Sequence, residues 1–133
     1  ETAMKHAFRC VTNNPLLAVQ DFPNLEYHDT DVLGLLRIVY QEVIGGVKLL
    51  THPLTGSIRP DITPYKTVLL SATASRVDFE SVRLMERALQ YTEDLYRLRD
   101  IPLYKQCSDE AKADFQLIDL SIIERALEVA QWS

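Results

Sequence analysis

The stretch from residue 49 to residue 66 constrains the fold of this 133-residue chain more than any other. It reads Leu-Leu-Thr-His-Pro-Leu-Thr-Gly-Ser-Ile-Arg-Pro-Asp-Ile-Thr-Pro-Tyr-Lys. Pro53, Pro60 and Pro64 exclude a helix, because proline lacks a backbone N–H and restricts the residue before it. An irregular segment this long inside a compact domain is more often a binding or lid loop than a connection, with disorder as the alternative. The apolar runs on both sides favour an ordered loop.

The side chains of this loop make it a candidate binding site. Its two cations, Arg59 and Lys66, are suited to holding an anion, and Gly56 allows the backbone to close on a ligand, because glycine tolerates positive φ. The alternative is a structural loop in which His52 is hydrogen-bonded to the backbone. The candidate residues of the loop are Thr51, His52, Gly56, Ser57, Arg59, Tyr65 and Lys66.

The turn Thr12-Asn13-Asn14-Pro15 is the second candidate. It lies where a predicted strand meets a predicted helix, and backbone N–H groups at such a junction favour an anion. If the strands at 7–12 and 47–51 are neighbours, their carboxyl ends place the two asparagines beside His52, at the edge where open α/β sheets bind ligands. We therefore expect this turn, Arg59 and Lys66 to converge in one cleft. The alternative is that Asn14 simply precedes a helix-opening proline.

Hydrophobic periodicity gives the fold class. Strands are predicted at 7–12, 25–28, 47–51 and 67–71, and helices at 16–20, 32–43, 79–98 and 108–131. Their alternation favours an α/β fold with a small, open, mostly parallel four-stranded sheet flanked by helices, two of them long and C-terminal. The direction of the strand at 67–71 stays open, because an antiparallel pairing with 47–51 fits equally well.

Length and charge limit the classes of protein and partner. The length fits one domain, predicted at 7–133, with residues 1–6 as a flexible N-terminus or tag remnant. A net charge of −5 disfavours nucleic acid as a partner. The first residues, Glu-Thr-Ala-Met-Lys-His, lack the apolar middle region of a signal peptide, and no apolar run is near the roughly 20 residues that span a bilayer. These features predict a cytoplasmic protein without a membrane partner.

Signatures of catalysis, metal binding and cofactor binding are incomplete. A nucleophilic pair of Ser57 and His52 lacks an orienting third group. His28, Asp29 and Asp31 have side chains that suit a metal, but a helix cap already explains the acids. The glycines form neither GxGxxG nor GxxxxGK[ST]. We therefore expect no metal and no cofactor.

The two long C-terminal helices are apolar on more than one face, which exceeds what one small sheet covers. This predicts a homodimer with the last helix at its interface. The alternative is a helical hairpin in which the two helices cover each other.

The turn at 12–15 and the segment Leu49-Leu-Thr-His-Pro-Leu-Thr-Gly-Ser57, continuing through Pro60 and Thr63-Pro-Tyr-Lys66 into an apolar strand, resemble the GrdX family. The resemblance covers roughly residues 8–98. It implies a small protein encoded among the genes for the glycine, sarcosine and betaine reductases of anaerobic, amino-acid-fermenting bacteria. The resemblance therefore implies a pathway context and not a reaction.

Three hypotheses about function follow from the sequence, and the third of them is a purely structural or regulatory dimer. The first is an accessory module that binds a small anionic ligand or a component of the glycine or betaine reductase system. The second is a small enzyme for a phosphorylated or carboxylated metabolite, in which His52 is the acid/base and Arg59 and Lys66 hold the anion.

Overall fold

The computed structural model describes residues 8–56 and 58–132. The prediction for residues 1–6 and the candidate residue Ser57 therefore lie outside the described part of the chain. No described helix is long and apolar enough to cross a membrane.

The described residues form three strands and four α-helices, so the predicted α/β class is confirmed. The four helices lie where the periodicity predicts them, with small differences at their ends. In chain order the elements are β1 (Phe8–Thr12), α1 (Pro15–Val19), β2 (Leu25–Tyr27), α2 (Val32–Ile44), β3 (Thr67–Ser71), α3 (Phe79–Tyr96) and α4 (Asp109–Trp132), with a 3-10 helix (Leu103–Gln106) between the last two.

The prediction of four mostly parallel strands is wrong. The sheet has the order β2-β1-β3, with β1 in the centre. β1 runs parallel to β2, where Cys10 lies opposite Leu25, and antiparallel to β3, where Cys10 lies opposite Leu69. The direction of the strand at 67–71, which the sequence leaves open, is therefore antiparallel to the central strand.

The predicted strand at 47–51 runs beside β3 but makes one isolated antiparallel bridge, between Leu49 and Leu70. Two backbone hydrogen bonds join it to β3, from Leu50 N to the Leu69 oxygen and from Ser71 N to the Lys48 oxygen. Two of its other donors bind side-chain hydroxyl groups. Lys48 N donates to the Ser71 hydroxyl, and Leu49 N donates to the hydroxyl of a serine in α3. Because hydroxyl groups occupy these positions, a regular ladder of backbone hydrogen bonds does not form.

Helices cover both faces of the sheet. Val11 and Val68 point to one face, where they pack in a core with α2 and α3. Cys10 and Leu69 point to the other face, which α1 and α4 cover through Leu17, Leu120 and Ile123. Because α3 and α4 lie on opposite faces, the predicted alternative of a helical hairpin between them is wrong.

Gly46 and Gly45 give a matched test of the turn that follows α2. Gly46 has φ +108°, and a Cβ there would clash with the backbone oxygen of Ser75. Gly45 has φ −86°, and its Cβ would lie 3.4 Å from the Glu42 oxygen. We expect Gly46→Ala to lower the free energy of unfolding in urea by about 3 kcal/mol. Gly45→Ala should stay within about 1 kcal/mol of wild type, and equal losses would show that the backbone conformation of Gly46 is not what stabilises the turn.

Candidate functional site

A buried polar cluster joins the end of β1 to the start of β3 and to α4. Among its members are four candidate residues from the sequence, together with two partners that were not predicted. The polar cluster consists of Thr12, Asn13, Asn14, Lys66, Thr67 and Asp119, all of them buried.

Asn13 uses its side chain to hold the loop before β3. Its Nδ2 donates to the backbone oxygens of Thr30 at 2.8 Å and Pro64 at 2.9 Å. Its Oδ1 accepts from Lys66 N at 2.8 Å. Both ends of the Asn13 amide are therefore bonded within the protein.

Asn14 connects α1 to α4. Its Oδ1 accepts from Leu16 N and caps α1. Its Nδ2 donates to the Gln116 backbone oxygen and to Asp119 Oδ2, each at 3.0 Å. The residue does open a proline-started helix, as the structural alternative predicted, and it also binds a carboxylate from the protein itself.

A chain of hydroxyl groups leads to the same carboxylate. Asn14 N donates to Thr12 Oγ1 at 2.9 Å, and Thr12 Oγ1 lies 2.7 Å from Thr67 Oγ1. Thr67 Oγ1 donates to Asp119 Oδ2 at 2.6 Å. Because the Thr67 proton is used there, the Thr12 hydroxyl is the donor of the central bond.

Lys66 and Asp119 are both buried, and their charges attract each other although no salt bridge joins them. Burial lowers the pKa of Lys66, and the negative charge of Asp119 opposes that shift. Burial raises the pKa of Asp119, against hydrogen bonds from Thr67 and Asn14 and the charge of Lys66. Lys66 Nζ donates to the Thr55 oxygen at 2.7 Å. The lysine predicted to hold an external anion is therefore turned into the protein.

Arg59, the second predicted cation, pairs with Asp61. Its Nε and Nη2 donate to the two Asp61 carboxylate oxygens at 3.0 and 2.7 Å. This pairing lowers the pKa of Asp61, whose side chain is 2% exposed. The Asp61 backbone oxygen in turn accepts from Tyr104 N. Arg59 therefore stabilises the contact between the long loop and the 3-10 helix.

His52 and Thr51 also have structural partners. His52 is exposed, and its Nδ1 accepts from Leu54 N at 3.1 Å. The Thr51 hydroxyl accepts from Leu69 N in β3. The predicted structural alternative for His52, a hydrogen bond to the backbone, is thus present in the fold. A ligand contact by either residue stays a prediction.

A concave surface of about 760 Å³, here called the edge cleft, opens outside the carboxyl ends of the parallel strands β1 and β2. Of the predicted site residues, it contains Asn13 and Tyr65. The other lining residues are Pro15, Tyr27, Asp29, Thr30, Asp31, Pro64, Tyr104, Lys105 and Lys112. Arg59 and Lys66 do not line it, so the predicted convergence of all three elements in one cleft is not what the described residues show.

Tyr104 fixes the outer wall of the edge cleft. Its hydroxyl donates to Asp31 Oδ2 at 2.8 Å, while Asp31 Oδ1 accepts from Gly34 N and caps α2. Burial and the hydrogen bond to Asp31 raise the pKa of Tyr104, so the phenol keeps its proton. Its ring stacks on Tyr96 with 5.6 Å between centroids. The Asp31 carboxylate is therefore fully engaged by the protein.

The charges that remain in the edge cleft favour an anion. Lys105 and Lys112 line it, and neither forms a salt bridge with the residues that the structure describes. Asp29 is the remaining carboxylate, because Asp31 has its own donors. The described part of the chain brings no group of three or more His, Cys, Asp or Glu side chains together as metal ligands.

Asp119→Asn tests the cost of the buried charge. Because the pKa of Asp119 is raised in the folded protein, the folded state holds a proton that the unfolded chain has already lost, and stability falls as this group ionises. We expect the free energy of unfolding of wild type to fall relative to the variant as the pH rises above about 4, the ordinary pKa of an Asp in an unfolded chain. Urea denaturation at each pH measures this difference.

Asp114→Asn removes an exposed carboxylate of the same helix and is the control for the loss of one charge. A difference between wild type and Asp119→Asn that does not change with pH would contradict the assignment.

Comparison with known proteins gives the family. Neither the curated proteins nor the solved structures include a match to this chain. A family model described as GrdX-like protein matches residues 9–128, which is most of the chain and includes both the polar cluster and the edge cleft. The chain therefore belongs to the GrdX-like protein family.

Proposed function

We propose that this protein is a cytoplasmic accessory module that binds a small organic anion in the edge cleft. The observation that carries this proposal is the pair Lys105 and Lys112, which line a cleft at the carboxyl ends of two parallel strands. Ligands of open α/β sheets bind at this edge. The volume of about 760 Å³ is within the range of small-molecule sites.

The composition of the edge cleft suits a carboxylate or a phosphate. Lysine ammonium groups are compact charges with three donors each, and they bind either group. Tyr27 and Tyr65 add phenol groups and ring surface on the strand side of the cleft. The ligand therefore places its anionic end at the lysines and the rest of its atoms against the tyrosines.

Binding is favoured over catalysis because the residues that an enzyme would need for the reaction do not lie together in the edge cleft. The enzyme alternative places His52 as acid/base between Arg59 and Lys66. Arg59 pairs with Asp61, and Lys66 points into the protein. His52 is not among the residues that line the edge cleft.

The family resemblance supplies the context of the proposal. The resemblance to the GrdX family implies a gene among those for the glycine, sarcosine and betaine reductases, and this expectation supports an accessory role in that system. The binding module then acts through its ligand or by docking on a reductase component while the ligand is bound.

A double variant, Lys105→Met with Lys112→Met, tests the edge cleft. Isothermal titration with acetate, glycolate and inorganic phosphate should identify an anion that wild type binds. The double variant should weaken binding of that anion about tenfold or more, because charge-assisted hydrogen bonds contribute about 1.5–3 kcal/mol each. Lys48→Met is the matched control, since Lys48 lies beside Ser71 at the opposite end of β3. Equal binding by all three proteins would contradict the site.

Native mass spectrometry against purified reductase components tests the context. We expect a complex with at least one component, and its amount should increase in the presence of the anion that wild type binds. If neither an anion nor a reductase component binds, the accessory role is wrong.

A further inference from the structure

A second concave surface, of about 570 Å³, lies on the outer side of α4, and we call it the α4 groove. One wall is the long loop at residues 55–56, and the floor is the side of α4 that faces away from the sheet. The lining residues used below are Thr55, Gly56, Ile118, Ile122, Arg125 and Val129. None of these residues lines the edge cleft.

The floor of the α4 groove is apolar and open to solvent. Ile118 is 41% exposed and Val129 is 65% exposed, whereas Leu120 and Ile123 on the inner side of the same helix are buried. A concave surface that is lined by large exposed aliphatic side chains is more often a binding site than a part of the ordinary protein surface. The apolar part of a ligand would remove this surface from water.

Gly56 brings the loop close enough to α4 to form the wall of the groove. It has φ +106°, and a Cβ at this position would lie 2.8 Å from Ile122 Cδ1. A residue with a side chain would therefore be strained at this φ, and its Cβ would displace the end of the Ile122 side chain that lines the groove. The groove thus depends on a glycine whose conformational freedom already makes it a candidate in the sequence.

Arg125 is the one charged residue among the described residues that line the α4 groove. It forms no salt bridge within the part of the chain that the structure describes. The acids nearest to it in sequence, Glu124 and Glu128, line a different depression with residues 20–23. The α4 groove therefore presents a positive charge beside apolar surface, on a protein of net charge −5.

We propose that the α4 groove binds an amphipathic carboxylate, with its aliphatic chain along Ile118, Ile122 and Val129 and its carboxylate at Arg125. An Arg guanidinium recognises a carboxylate through two parallel hydrogen bonds. The site is independent of the proposed function, because it uses a different surface and a different cation.

A second copy of the chain is the competing occupant, since the homodimer predicted from the sequence would cover the same face of α4. A two-fold interface must be self-complementary, so each Arg125 would need a carboxylate from the same patch of its partner. The residues that line the α4 groove include no carboxylate. The charge of the groove therefore favours an anionic ligand over a second copy.

Isothermal titration with decanoate and with 1-decanol separates the two parts of the proposal. Wild type should bind both, and decanoate more tightly. Arg125→Gln should weaken decanoate about tenfold, which corresponds to about 1.4 kcal/mol, and leave decanol unchanged. Arg83→Gln, an exposed arginine on α3 across the sheet, is the matched control and should bind like wild type. Unchanged decanoate affinity in Arg125→Gln would overturn the proposal.

Two further measurements test the competing explanations. One asks whether decanoate binds in the edge cleft, and the other asks whether a second copy of the chain occupies the α4 groove. The Lys105→Met, Lys112→Met double variant should bind decanoate like wild type, and a loss there would place the carboxylate in the edge cleft and overturn the α4 site. Sedimentation equilibrium gives the mass. A species of twice 15.2 kDa that binds no decanoate would assign the groove to a second copy and overturn the proposal.

Discussion

The arrangement of this protein depends on the hydrogen bonds and the charge interaction that the buried Asp119 carboxylate makes. Burying a charge costs several kcal/mol unless hydrogen bonds and an opposite charge offset it. Asn14 and Thr67 donate to the same carboxylate oxygen, and Lys66 lies close enough to attract it. These donors belong to the cap of α1 and to β3. One side chain of α4 therefore holds that helix in register with two other elements.

This interaction divides the carboxyl edge of the sheet into two layers. The inner layer is the polar cluster, whose amides and hydroxyl groups are used by the protein. The outer layer is the edge cleft, whose lysines and tyrosines are available to a ligand. Arg59 belongs to neither layer, but it acts on the outer one, because it orients Asp61 and Asp61 accepts from the backbone of Tyr104. A predicted binding cation thus has a positioning role.

The helices could be predicted because their signals are local. Apolar side chains recur at helical spacing, and the caps Asp31 and Asp78 each lie directly before a first turn. The strand at 47–51 could not be judged in the same way. Its apolar pattern is that of a strand, but the Ser71 and Ser81 hydroxyls that take its backbone donors lie far away in sequence.

The candidate site shows the same limit. Asp61 is two residues from Arg59, so that pairing could be predicted from the sequence. Asp119 is 52 residues from Thr67, but one signal was present: a carboxylate four residues before Ile123, on the side of the last helix that carries its buried side chains. No sequence pattern identifies Lys105 and Lys112 as members of a binding site. Their place depends on the docking of Tyr104 onto Asp31, which the intervening chain does not encode locally.

The central position of β1 also has a consequence for the order in which the fold assembles. β1 and β2 are joined by a short connection, whereas β1 reaches β3 only after α2 and the long loop have been passed, with Cys10 opposite Leu69. Closing such a separation costs chain entropy before any contact is gained. The prolines of the loop reduce that cost, since they limit the conformations of the unfolded chain. The polar cluster is complete only when α4 packs on the sheet, so Asp119 leaves water together with that helix.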